Sequence, residues 1–460
     1  MPVFSDVRGL AVTAADPAVV GHVDASIAAF LGFRKDTGER LKPALALDPE
    51  CVFANVLRGY YMLLMANRTL VPRAAKCLAA AEKAAAGATA REQGHVAALR
   101  AWVAGDFAGA VRRWEALLPE NPRDAIALRL ANYGHFYAGD AAGMRDSFAR
   151  CLHAWDESVP GYGFMLGAYA FAQEEAGDYA AAERDGRRAV EMQPADIWAT
   201  HAVAHVLEMQ GRADEGVAWI TGLEGNFGEC HNFTYHLWWH RALFHWDRGR
   251  YDAALDLYDR EVRPESTDDA LDIANATSLL WRLEQVGMDV GDRWQELAAR
   301  AAERIGDHML VFSDAHFAMA LAAAGPEGSD RRFAESCRAF AGAGETQSAV
   351  MAACGADLVD GVLAYRRGDF GRAVDHLSAA RPALRGIGGS HAQRDVFEQM
   401  LAVAALKAER LPLARALWSE RSRRKPWCGW TWGNLADSLS ATGDPIAAAG
   451  ARARAVAIAV

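Results

Sequence analysis

The chain has 460 residues, 52% hydrophobic and 23% charged, with 49 basic side chains against 59 acidic ones and a net charge of −10. That is enough apolar surface for one large core or several smaller ones in series. A net-acidic chain without a basic stripe is ill suited to gripping phosphate backbones, so nucleic acid is not an expected partner.

The first residues, MPVFSDVRGLAV, place Asp6 and Arg8 where a signal peptide would need an unbroken apolar run. No stretch reads as the roughly 18 apolar residues that span a bilayer. The seven cysteines (Cys51, Cys77, Cys151, Cys230, Cys337, Cys354, Cys428) stand singly, with no CxxC pair. That pattern fits a reducing compartment and argues against a disulfide frame or a thiolate zinc site. The expectation is a soluble, cytoplasmic protein. Residues 1–90 read as irregular helical hairpins, with a candidate turn at ANR near Ala66.

From Gly105 a motif repeats, Gly-Asp-aromatic followed by alanine: GDFAGA at 105, GDYAAA at 177, GRYDAA at 249 and GDFGRA at 368. Weaker copies stand at Gly139, Gly211, Gly287, Gly325, Arg410 and Gly443. Gly105 to Gly139 and Gly177 to Gly211 are each 34 residues; Gly139 to Gly177 and Gly211 to Gly249 are each 38. Proline closes several copies, at Pro122, Pro194, Pro264, Pro382 and Pro426. Helices of about 14 residues flank each turn with apolar periodicity, and no run alternates long enough for a sheet. Pairs this short cannot bury their apolar faces alone, so neighbours must stack. Glycine supplies the left-handed backbone at each helix end.

This pattern resembles the tetratricopeptide repeat (TPR). The strings THAVAHVLEMQGR, HNFTYHLWWHRALFHWDRGRYDAAL, SDAHFAMALAAAG and GGSHAQRDVFEQML are further similar to the family of tetratricopeptide repeat protein 38, over roughly residues 20–450. The resemblance implies an all-α, right-handed superhelical solenoid of helix hairpins wound round a central pocket. It supplies no activity. Regular repeats are expected over 91–325, with C-terminal repeats over 326–460 continuing the stack.

The frame turns sequence position into direction. With a turn glycine as position 15, positions 2, 5, 9, 12 and 13 of the preceding helix face the groove. Gly211 then places Trp198, His201, His205 and Glu208 on one inward stripe. Gly249 places His236, Trp239, Trp246 and Asp247 at positions 2, 5, 12 and 13 and His240 at 6, four residues after His236, with Thr234 or Asn232 as cap. Asp314 and His316 follow a Ser313 cap in the repeat ending at Gly325. Further on, Gly386–Gly389 delivers Ser390 to a helix start, with Gln393 placed for a capping box. His391 and Asp395 are four apart, so the carboxylate could orient a ring kept neutral by the helix N-terminus; Arg394 projects beside them. Eight of the 14 histidines lie between 201 and 316. His231 and His245 read as a helix-start and a packing residue. The basic run Arg421–Lys425 reads as a solvated loop.

These residues favour a pocket that binds a small polar or anionic molecule, with hydrolysis or elimination as its chemistry. His205 and His391, supported by His201, His240 and Asp395, are the acid–base candidates. Trp198, Glu208, His236, Trp239, Asp314, His316 and Arg394 are the binding candidates. No cofactor is expected, although His201, His205, His236 and His240 have spacings that two-per-helix metal ligation would accept, without an HExxH motif. The alternative is a scaffold that binds a protein partner through the groove or outer surface, or pairs with itself.

Overall fold

The turns carry the architecture. In the computed structural model, which describes residues 1–459, Gly105, Gly139, Gly177, Gly211, Gly249, Gly287, Gly368 and Gly443 all have φ between +69° and +88°. Each is the left-handed stop that lets one helix end and its partner fold back. Two further turns manage without glycine: Ala66 at φ +46° and Glu409 at φ +56° occupy the same region. Gly325 is the exception, extended at φ −65° and ψ 154°. Pro326 explains it, because the proline ring excludes the helical region for the residue before it.

The described residues are almost wholly helical, as expected, in a TPR-like succession of hairpins. They fall into two compact units. The first holds residues 1–203, 223–234 and 343–349; the second holds 204–222, 235–342 and Val350 onward. In the first, helices such as Ala90–Val103, Phe107–Leu117, Ala125–Tyr137, Tyr162–Glu175 and Tyr179–Met192 pack against their chain neighbours round buried Trp114 and Phe171. In the second, Ala270–Gln285, Arg293–Glu303, Val311–Ala324, Phe370–Ala380, His391–Lys407 and Leu411–Arg424 do the same round Trp239, Trp281 and Trp418. Small residues let the helices close up. A Cβ on Gly216 would stand 2.3 Å from the Phe244 ring.

Two features depart from the sequence reading. Val3–Ser5 and Ala11–Thr13 form a short antiparallel hairpin, too brief to show as alternation. Glu92 fastens it, accepting from the Thr13 amide (3.1 Å) and hydroxyl (2.8 Å) while completing a capping box with Thr89. The other is the continuous helix over residues 346–366, which passes through a π-turn at Met351–Gly355. By length and composition it could cross a membrane, contrary to expectation, since only Asp357 and Asp360 interrupt its apolar run before Arg366. Most of its apolar window is buried within the protein, as for a core helix.

Candidate functional site

Helix Ile197–Met209 and helix Phe233–Asp247 carry the predicted histidines at the predicted spacing. Within the second unit, His205, His236 and His240 converge. One ring nitrogen from each lies within 4.8 Å of the others. The His205 and His240 ring centroids are 4.4 Å apart, and those of His236 and His240 are 4.8 Å apart. All three side chains are buried, as is Glu208, rather than lining an open groove.

Two of the imidazoles, those of His240 and His236, are oriented from behind. Glu208 Oε2 lies 3.1 Å from His240 Nδ1, and Asn275 Oδ1 lies 2.9 Å from His236 Nδ1. Burial alone would raise the Glu208 carboxyl, but Lys425 and the His240 bond hold it well below the usual carboxylate range. An ionised carboxylate only accepts, so His240 Nδ1 donates; in the neutral ring the lone pair then sits on Nε2. Burial, reinforced by the neighbouring His240, lowers His236 to about 3 and pushes His205 well below an ordinary histidine. His391 also bears on His205 electrostatically, which brings the fourth expected imidazole into the same field.

The counterions were not foreseen. Lys425 Nζ donates to Glu208 Oε1 at 2.9 Å and stands 3.9 Å from Asp395 Oδ2. Arg421 pairs with the Asp395 carboxylate and donates to Thr431 Oγ1 at 3.1 Å. The basic run is therefore not a solvated loop. Arg421 and Lys425, four residues apart, turn inward at 3% and 8% exposure, while Arg423 and Arg424 stay in solvent. Arg282 is also buried. Its guanidinium donates to the Ser278 and Ala392 carbonyls and lies over Trp239, and burial lowers it to about 10. Through Ala392 it pins the start of the His391 helix. Asp247, buried beside Lys425 and Arg421, is raised by desolvation.

Other expectations are corrected. Asp395 does not serve His391: one oxygen meets Arg421 and the other accepts from Gln399 Nε2 at 2.7 Å, so the cationic pair outcompetes the ring. Arg394 turns to the Gly388 and Gly389 carbonyls, clamping the glycine run instead of projecting toward a ligand. Asp314 accepts from His308 Nδ1 at 3.2 Å, and His316 Nδ1 donates to the Phe312 carbonyl at 2.8 Å. Ser313 is not the cap of its helix, which begins at Val311 after Leu310. Trp239 is core, donating to Ser278 Oγ.

His201 and Trp198 belong to the first unit. There Trp198 packs against Phe33, Tyr133, Phe171 and Phe233 with Arg129 over its face, and His201 lies against Phe171 and Trp198. A substrate-stacking role for Trp198 gives way to this packing. The helix-start reading of His231 holds, its Nδ1 accepting from the Phe233 amide at 3.1 Å. The Ser390–Gln393 capping box forms as read.

No family model matches the chain. It aligns with a human IFIT1 dimer bound to PPP-AAAA at 14% identity, covering 98% of this chain and 96% of that one, with a TM-score of 0.39. It aligns with yeast Tom70 at 13% identity, 82% and 76% coverage and a TM-score of 0.29. The TPR domain of P58(IPK) gives 12% identity, 80% and 92% coverage and a TM-score of 0.23. Likeness this distant bears on neither activity nor partner.

Proposed function

We propose that the second unit binds a small polar or anionic molecule at the cluster of His205, His236 and His240, with general acid–base hydrolysis or elimination as the chemistry that follows. The observation that carries this reading is the convergence of three buried imidazoles from two helices, two of them oriented by Glu208 and Asn275. Apolar side chains would fill the same space at lower desolvation cost, so such a cluster suits recognition better than packing. His205 and His391 are the proton-transfer residues of this reading, and Arg282 and Lys425 supply positive charge nearby. A cytoplasmic setting and kinship with the tetratricopeptide repeat protein 38 family belong to the same proposal.

The test is a thermal-melt screen of small carboxylates, phosphates and amides against wild type and His205→Ala. At least one compound should raise the wild-type melting temperature by several degrees and leave the variant unmoved. Equal shifts in both proteins, or none in either, would remove the site. A scaffold role has one supporting observation: helix Pro445–Ala459 leaves Ile446 and Val456 exposed at 87% and 67%. Light scattering on Ile446→Glu against wild type separates that reading, which requires an assembly that the charge dissolves.

A further inference from the structure

We infer that His205, His236 and His240 form a three-imidazole site for a divalent transition-metal ion of the zinc or cobalt(II) type. This rests on the ligand-site reading above and names the ligand. His205 then serves as a metal ligand, and proton transfer falls to His391.

The donor set is the first argument. Three nitrogens, with no thiolate, suit zinc and its first-row neighbours and poorly suit calcium or magnesium, which demand oxygen. Geometry is the second. Metal–nitrogen bonds of about 2.0–2.1 Å in a tetrahedron put neighbouring nitrogens roughly 3.4 Å apart. The three rings bring their nitrogens within 4.8 Å of one another, near that spacing.

The outer shell is the third argument. Metal-bound histidines donate their other N–H to a carboxylate or carbonyl, which fixes the tautomer and strengthens the ligand. His240 has Glu208 in that position and His236 has the Asn275 carbonyl oxygen. Glu208 is fixed in turn by Lys425. In both rings it is Nδ1 that meets this outer partner. Trp239 also packs on the cluster, stacked on His236 and edge-on to His240.

The experiment uses the full chain, stripped with a chelator and titrated with cobalt(II) followed by zinc(II). One cobalt per chain should bind with strong visible ligand-field bands, and zinc should displace it. His236→Ala and His240→Ala should abolish the bands, while His316→Ala, a buried histidine of the same unit, should retain them. Glu208→Gln should bind at about 10- to 100-fold weaker affinity. Should an alanine variant fail to fold, zinc absorption fine structure on wild type decides: three imidazole nitrogens in the first shell support the site. Cobalt bands that survive in folded His236→Ala, an oxygen-dominated shell, or no binding would each overturn it. Small-molecule stabilisation that persists in metal-free protein, without metal uptake, would sink this inference while sparing the ligand-site reading; loss of both would sink the two together.

Discussion

Lys425→Met tests whether the inner ion pair is as buried and as close as described. At 2.9 Å, with the side chains 10% and 1% exposed, the Lys425–Glu208 attraction is about 6 kcal/mol at an effective dielectric of 20. Desolvating Lys425 cancels part of that, so removing the ammonium should leave Glu208 buried with His240 alone and destabilise the fold by about 3–5 kcal/mol. Urea denaturation followed by circular dichroism measures it. Glu208→Gln in the same background removes the stranded charge and should recover more than half of the loss, a non-additivity that a double-mutant cycle isolates. A single-variant loss under about 1 kcal/mol, or additive effects, would mean that the pair is solvated and that the polar centre of the second unit is misdescribed.

Other outcomes follow from the same geometry. Gly216→Ala would normally gain about 1 kcal/mol of helix propensity, but the Cβ meets the Phe244 ring; a net loss of about 1–3 kcal/mol is expected in urea melts. Ala66→Gly should stabilise by up to about 1 kcal/mol, because the left-handed φ at this turn costs alanine and not glycine. Asp196, buried and raised to about 7 by desolvation, should reduce stability as pH climbs. The folded state keeps the proton that the unfolded chain releases near pH 4, so the native contribution is full below that and lost through pH 7. Asp196→Asn, able to keep the bond from the Ala199 amide, should therefore gain on wild type between pH 4 and 8, by at most about 4 kcal/mol. A difference that stays flat with pH would show Asp196 ionised throughout.

The repeat frame was legible because a left-handed helix stop is a local demand that glycine meets in sequence. The recurring glycine motif located most of the turns, and the string ANR marked the one at Ala66, which lacks glycine. The same frame put His205, Glu208, His236 and His240 on inward faces, since helical periodicity fixes direction. It could not tell an open groove from a buried cluster, because closure depends on what other helices bring. Lys425 and Arg421 show this. Their spacing of four marks one helix face, but dense charge beside Pro426 reads as a loop until Glu208 and Asp395 are seen to need counterions. Asp395 was misassigned for the complementary reason: its nearest imidazole in sequence, His391, lost to an arginine 26 residues further on. Arg394 likewise found its partners in the carbonyls of the preceding glycines, a backbone contact that no side-chain pattern announces.

The most direct measurement is a long-range proton–nitrogen correlation spectrum of protein labelled at histidine, recorded at pH 7 with and without zinc(II). The account predicts that His236 and His240 carry their proton on Nδ1, and that their Nε2 signals move together with that of His205 on one equivalent of metal. Rings protonated at Nε2, or three histidines that respond independently, would contradict it.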